Sequence, residues 1–311
     1  MQNQWLLLIV SILLLCLAIA GVLFVPALSM LLFPFLMALH TFIKQNGNKA
    51  VSVSFLVISL LLTVLLTSSF LYALLLGALP FAFGGFLASK ISKNASQKQL
   101  LLLSGMGSGV FILGMLYSVN NSLNADTIST IYNSALDIFY KNIDIASQDF
   151  TPELIDEIKM LFSQVVAEAK RLFPYTLFTM CAYFGYISLF IITGLNKLFR
   201  TGSWFQPRFS EFRCNTSTIF VMVLTAIISF FVKDGVLGVA LNNIYAIFSF
   251  MLTMCAVSLI DYWMKKKNWN IILRILILLL LISVQSGSFL SVVFSVIAFL
   301  DARINFRKLE L

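Results

Sequence analysis

Charge is what this 311-residue chain has least of. Asp, Glu, Lys and Arg together make 11% of it, while 60% is hydrophobic; soluble domains carry roughly 25% charged residues. That scarcity excludes a water-soluble fold. Histidine occurs once, as His40, near an apolar helix end with no acid or cysteine neighbour in sequence, and the predicted spans hold no central carboxylate and no HExxH pair. Metal-assisted and acid–base chemistry need such groups converging, so a non-enzymatic role is expected, and no cofactor. A phosphate-binding loop is also missing, so the chain is not expected to bind ATP by itself. Ion-coupled pumps commonly use buried Asp, Glu or His well inside their spans; none is evident here, His40 lying near an inner helix end, so a self-sufficient pump is not expected. Four cysteines, Cys16, Cys181, Cys214 and Cys255, show neither CxxC pairing nor metal spacing. They read as small hydrophobes and not as a disulfide framework.

What is present is a series of apolar runs near the ~20 residues that cross a bilayer core of ~30 Å. Backbone groups in lipid must be paired within the segment, so runs without alternation are helices. The fold class is therefore all-α: a polytopic transmembrane helix bundle of about ten spans. They are expected at Trp5 to Val25, Ala27 to Ile43, Val51 to Ser68, Phe70 to Ser89, Leu100 to Val119, Pro174 to Leu195, Thr216 to Val232, Val236 to Ile260, Ile271 to Val284 and Ser288 to Leu300. Pro34, inside the second, predicts a kink. Ala18, Ile19 and Ala20 resemble a signal-peptidase site, but the preceding segment lacks a basic n-region and the apolar pattern continues beyond it, so a retained helix is expected.

Residues 120–173 form the long polar insert, with eight acids against four bases. Ile128, Ile131, Tyr132, Ala135 and Phe139 recur at helical spacing, as do Leu154, Ile158, Leu161, Phe162, Val165, Ala169 and Leu172; two amphipathic helices follow. Thr151 suits an N-cap and Pro152 the first helical position. The domains are thus a five-helix membrane half (1–119), an extracytoplasmic helical insert (120–173) and a second five-helix half (174–311). Under the ten-span arrangement fifteen of the 21 basic residues fall in one set of loops and nine of the thirteen acids on the opposite side, giving N-in, C-in orientation. Trp5, Trp204, Trp263 and Trp269 sit at inner helix ends, where indole suits the headgroup layer. Because the basic residues, net +8 overall, follow this pattern, they point to a lipid bilayer and not to nucleic acid.

Several residues could carry function. Gly105, Gly107 and Gly109 mimic a dinucleotide fingerprint, but that motif needs a strand before it; Gly105 and Gly109 instead give GxxxG spacing for close helix approach. Gly84 and Gly85, like Gly77 and Pro80, either pack helices or shape a cavity. Asn242, Asn243 and Tyr245 lie in the outer third of the eighth span, where amides need partners, in a ligand-filled cavity or on a neighbouring helix. Arg274, within the ninth span, stands about a turn from its inner end and can snorkel to the interface.

The stretch from Phe162 to Ile192, an amphipathic helix running through Leu172, Phe173 and Pro174 into a membrane span, resembles the YybS-like family of bacterial membrane proteins. So do Leu241, Asn242, Asn243 and Tyr245 leading to Asp261, Tyr262 and Trp263, and the ending from Leu300 to Arg307. The chain departs from the family pattern in lacking a glycine between Gly238 and Asp261 and in carrying Asn305 where an aspartate is usual. The family is distantly similar to substrate-binding components of energy-coupling-factor transporters. The resemblance implies a bacterial plasma (inner) membrane location, a pocket near Asn242, Asn243 and Tyr245 for a small or amphiphilic ligand, and partner-dependent transport. It also implies an inner partner-facing surface of Trp204, Arg208, Arg213, Asp301, Arg303 and Arg307 for other membrane proteins such as an energising ATPase complex. The alternative is a non-catalytic membrane scaffold that docks cell-envelope proteins.

Overall fold

The computed structural model describes residues 2–24, 26–46, 49–93, 95–123, 127–146, 151–199, 209–232, 235–284 and 288–307. Among them there are helices and no strands, as backbone self-satisfaction in lipid requires. The helices are α1 (Gln2–Phe24), α2 (Pro26–Asn46), α3 (Lys49–Thr67), α4 (Phe70–Ala73), α5 (Leu79–Ser92), α6 (Gln97–Leu123), α7 (Thr127–Ala146) and α8 (Pro152–Arg171). There follow α9 (Phe173–Leu198), α10 (Thr216–Phe231), α11 (Gly235–Lys266), α12 (Ile271–Val284) and α13 (Ser288–Ile304). Five described segments are long and apolar enough to cross a membrane: Leu28–Asn46, Phe70–Ser92, Lys98–Asn121, Phe173–Leu198 and Gly235–Lys266. Ile9–Phe24, Val51–Thr67, Thr216–Phe231 and Ile271–Leu281 are shorter apolar helices.

The chain divides into two compact units, one of residues 1–170 and 180–207, the other of 171–179 and 208–311. Local composition marks where an insert begins, but tertiary contacts decide which helices share a core, and α9 contributes residues to both units.

In the first unit Leu15 and Ile19 of α1, Phe33, Leu36 and Met37 of α2, Leu87 of α5 and Phe111 and Met115 of α6 form one buried cluster, with Phe33 and Phe111 stacked at 4.1 Å. Between α4 and α5 a π-helical turn, Leu74–Ala78, precedes Pro80. A proline has no N–H for the i−4 carbonyl, and a widened turn accommodates the break without ending the span. Ser68, at φ 52°, turns α3 into α4. Contacts of α9 with α6 and with α2 are made by small residues. The Ser104 hydroxyl donates to the Gly185 carbonyl at 3.1 Å, Ser188 donates to the Pro34 carbonyl at 3.2 Å, and a Cβ on Gly185 would stand 2.8 Å from the Gly105 nitrogen. Close backbone approach of this kind is how helices adhere where lipid removes the hydrophobic drive. Gly185→Ala is therefore expected to cost about 1–3 kcal/mol by overpacking. Gly194→Ala, on the same helix with nothing within 4 Å of the new Cβ, is expected to cost nothing. Thermal unfolding of the two variants in detergent checks the contrast.

The insert belongs to this unit. Thr151 precedes α8 and its carbonyl accepts from the Ile155 N–H at 3.1 Å, with Pro152 the first helical residue. Phe139 and Phe162 stack at 3.5 Å between α7 and α8, and the Tyr132 hydroxyl donates to the Ala169 carbonyl at 3.0 Å. Lys159 bridges to Asp144 at 2.7 Å, and Lys170 bonds Ser129. The hydrogen bond to Asp144 holds the Lys159 ammonium above the usual lysine range. The apolar stripe is wider than this one interface. Ile131, Leu154, Leu161 and Val165, read in sequence as part of the same faces, are exposed.

In the second unit Leu252, Cys255 and Ala256 of α11 pack with Ile219 of α10 and Phe294 and Ala298 of α13. Asn268 takes φ 56°, a left-handed conformation asparagine tolerates. The Asn270 side chain then accepts from the Ile272 N–H at 2.9 Å and caps α12. Ile272, Leu276 and Leu280 of α12 are exposed, which suits lipid and would be ruinous in water.

Candidate functional site

The polar residues of the second unit gather in two places. The first is Asn243. Its Oδ1 accepts from the Tyr175 N–H at 3.0 Å, and its Nδ2 donates to the Arg171 carbonyl at 3.0 Å and the Val239 carbonyl at 2.9 Å. Tyr175 is the third residue of α9 and Arg171 the last of α8, so the amide satisfies one orphan donor and one orphan acceptor at two helix ends. Asn243 is 5% exposed, and all of these bonds go to backbone. Asn242 and Tyr245 are half-buried. Pro174 was the signal in the sequence: a proline in a helix's first turn marks where unpaired N–H groups begin.

The second place lies where the segment before α10, the C-terminal part of α11 and the end of α13 meet. Asn305 takes φ 55° and its N–H donates to the Asp301 carbonyl at 3.0 Å, closing α13 so that Arg307 reaches back. Arg307 Nε and Nη2 donate to Asp301 Oδ2 at 3.1 and 2.6 Å. Its Nη1 donates to the Ser210 carbonyl at 2.6 Å and to Ser258 Oγ at 2.8 Å, and Nη2 also to the Phe212 carbonyl at 3.0 Å. Arg213 Nη2 donates to the Asp301 and Ala302 carbonyls, both at 2.8 Å. Asp301, Arg307 and Arg213 are 1%, 3% and 6% exposed.

This corrects part of the expected inner surface: Arg213, Asp301 and Arg307 turn inward on one another, because a charge that finds partners inside need not face out. Arg303 is exposed. Trp204 and Arg208 lie outside the described residues.

Arg274 is a second correction. Instead of snorkelling, its Nε and Nη2 donate to Asp261 Oδ1 at 3.0 and 2.6 Å, with Asp261 buried. The two are thirteen residues apart, and the capped turn between α11 and α12 folds one back on the other.

Cysteine is the third. Cys214 and Cys255 form a disulfide with Cα atoms 6.1 Å apart across a sequence separation of 41. Spacing alone could not reveal it, since packing of the segment before α10 on α11 brings them together. Cys16 and Cys181 are free.

In the first unit the glycines singled out in the sequence face neighbours. A Cβ on Gly84 would stand 2.9 Å from that of His40, one on Gly85 2.8 Å from Lys44 Nζ, and one on Gly105 or Gly109 3.4 or 3.2 Å from Cys181. His40 is buried beside Phe55, ring centroids 4.6 Å apart, with Phe81 edge-on at 5.9 Å. Among the described residues no group of three or more His, Cys, Asp or Glu could hold a metal ion.

A chain whose described residues form helices and no strands, five of them long and apolar enough to span a bilayer, is a membrane-embedded protein. The chain belongs to the family described as Predicted membrane protein (DUF2232), whose sequence model matches residues 9–302. That agrees with the YybS-like resemblance. No curated protein and no solved structure matches the chain.

Proposed function

We propose that the chain is a non-catalytic membrane scaffold of the bacterial plasma membrane, ten-spanning with both ends inside, whose outer insert docks a cell-envelope protein. The observation that carries this reading is the open face of the insert. Tyr132 and Phe139 already fill the α7–α8 interface, yet Ile131, Ile138 and Ile145 remain 56%, 62% and 76% exposed. These three recur every seventh residue, as do the exposed Leu154 and Leu161 on α8, and that is the spacing of a seam made to receive another helix. The acidic surplus around it favours a partner helix flanked by Lys and Arg.

Asn243 supports the scaffold over the ligand-binding alternative, since its side chain is buried and both of its N–H groups and one lone pair of its oxygen are taken by backbone at the helix ends and within α11. Partner-dependent uptake with an energising ATPase complex is the outcome that would displace this reading.

The test is a photo-activated cross-linking residue in place of Ile138 or Leu161, with one in place of the interfacial Tyr132 as control, in intact cells. One discrete protein adduct from the first two positions, abolished by Ile131→Asp, is expected. Adducts to phospholipid alone would mean that the face lies on the outer leaflet and would end the docking reading. Gentle extraction that recovers an ATPase and a bound metabolite in stoichiometric amounts would replace it with transport.

A further inference from the structure

Three consecutive lysines, Lys265, Lys266 and Lys267, stand where α11 turns into α12. All three are exposed, and so are Trp263 and Trp269 on either side, at 41% and 43%. The Lys266 ammonium lies 5.1 Å from the centre of the Trp263 ring, a cation–π contact. Among the described residues none of the three lysines makes an ion pair. The nearest acid in sequence, Asp261, is buried and taken by Arg274. The turn therefore carries three positive charges with no carboxylate of the described residues paired to them.

Its backbone is fixed. Asn268, in the left-handed conformation, donates its N–H to the Lys265 carbonyl at 3.0 Å, and the Trp269 N–H donates to the Met264 carbonyl at 3.1 Å. These are the paired bonds of a Schellman motif. With Asn270 capping α12 and Arg274 clasping Asp261, both helix ends are held. The 32 residues of α11 make a helix about 48 Å long, as much as a bilayer with its headgroup regions, ~40–45 Å. A spanning helix of that length sets its C-terminal lysines and the two indoles in the headgroup layer.

We propose that the α11–α12 turn is a binding site for anionic phospholipid, selected by charge over zwitterionic lipid. The lipid phosphate oxygens accept from the lysine ammoniums, and the indoles of Trp263 and Trp269 lie beside them among the headgroups. Polybasic lipid-binding segments have roughly four to eight Lys or Arg; here the two indoles and the fixed backbone compensate for a smaller number. An acidic protein is the other class of partner for such a charge. Lysine is depleted at protein interfaces, and a turn between two apolar helices meets headgroups first, so lipid is favoured. The site is independent of the insert and of the docking reading.

The test reads the two indoles directly. The variant Trp5→Phe with Trp204→Phe leaves Trp263 and Trp269 as the tryptophans. It is reconstituted in phosphatidylcholine vesicles in which a minor fraction of the lipid is brominated near the headgroup, as phosphatidylglycerol or as phosphatidylcholine, and bromine quenching reports the lipid beside the turn. Phosphatidylglycerol is expected to associate several-fold more strongly, since one ammonium near an anionic surface is worth about fivefold. The preference is expected to shrink as salt rises from about 0.1 M to about 1 M and the Debye length falls from ~10 to ~3 Å. Native mass spectrometry of the chain with both tryptophans retained, given the two lipids in mixture, makes the same comparison, so a failure of the double variant to fold does not spoil it. There the preference for phosphatidylglycerol is expected to be lost in the triple variant Lys265→Gln, Lys266→Gln, Lys267→Gln. It is expected to survive Lys90→Gln, Lys93→Gln, Lys98→Gln, which removes three exposed lysines where α5 turns into α6, a stretch without tryptophan. Equal quenching by the two brominated lipids, which would leave the lysines to an acidic protein, would overturn the proposal. So would a preference indifferent to salt, or an equal loss in both triple variants.

Discussion

Arg307→Ala is expected to destabilise the second unit by about 3–5 kcal/mol, the cost of breaking a buried ion pair from one side. The variant removes five hydrogen bonds at once, two to Asp301 Oδ2 and three to Ser210, Phe212 and Ser258. It leaves a carboxylate that is 1% exposed with only the Arg213 contact at 4.0 Å. The loss should be partly recovered in the double variant Arg307→Ala with Asp301→Asn, because neutralising the abandoned carboxylate removes the uncompensated charge. Arg307→Lys should fall between, since an ammonium keeps the charge but not the planar fork that meets carbonyls on two segments. Unfolding in detergent, followed by far-ultraviolet circular dichroism, gives the ordering. A loss below about 1 kcal/mol would place this pair with exposed salt bridges and refute its burial.

Asn243→Leu is the second large effect. Leucine keeps the branched four-atom skeleton of asparagine, with more bulk at its two ends, while the Tyr175 N–H and the Arg171 carbonyl lose their bonds to residue 243. Each buried orphan costs roughly 1–3 kcal/mol, and two give an expected loss of about 2–4 kcal/mol. The diagnostic readout is local. Amide hydrogen exchange across residues 171–176 should accelerate well beyond the global change, whereas peptides from α13 should follow global stability only. Unaltered exchange at Tyr175 would show that Asn243 does not cap α9, and would return its amide to the pool of ligand-binding candidates.

Local regularities made some of this legible in advance. Apolar runs gave the membrane helices, because a bilayer leaves a long hydrophobic run one way to satisfy its backbone. Thr151 and Pro152 announced the start of α8, since capping involves only neighbours in sequence. The stripe from Tyr132 to Phe139 announced an amphipathic helix but not which of its apolar residues would be covered. Periodicity assigns a face, and only a partner helix divides that face into buried and open parts.

By itself, then, the sequence determined that this is an all-helical membrane protein with a polar helical insert, and where most helices start and stop. Those properties depend on hydrophobicity, capping and backbone pairing within a few residues. The tertiary structure alone decided that Arg274 meets Asp261, that Cys214 meets Cys255, that Asn243 serves the α8–α9 junction, and that Arg213, Asp301 and Arg307 close on one another. Each pairing joins residues separated by a turn or by whole helices. Which charge finds which partner is set by how helices pack, and a polar residue in lipid bonds to whichever polar group that packing brings within reach.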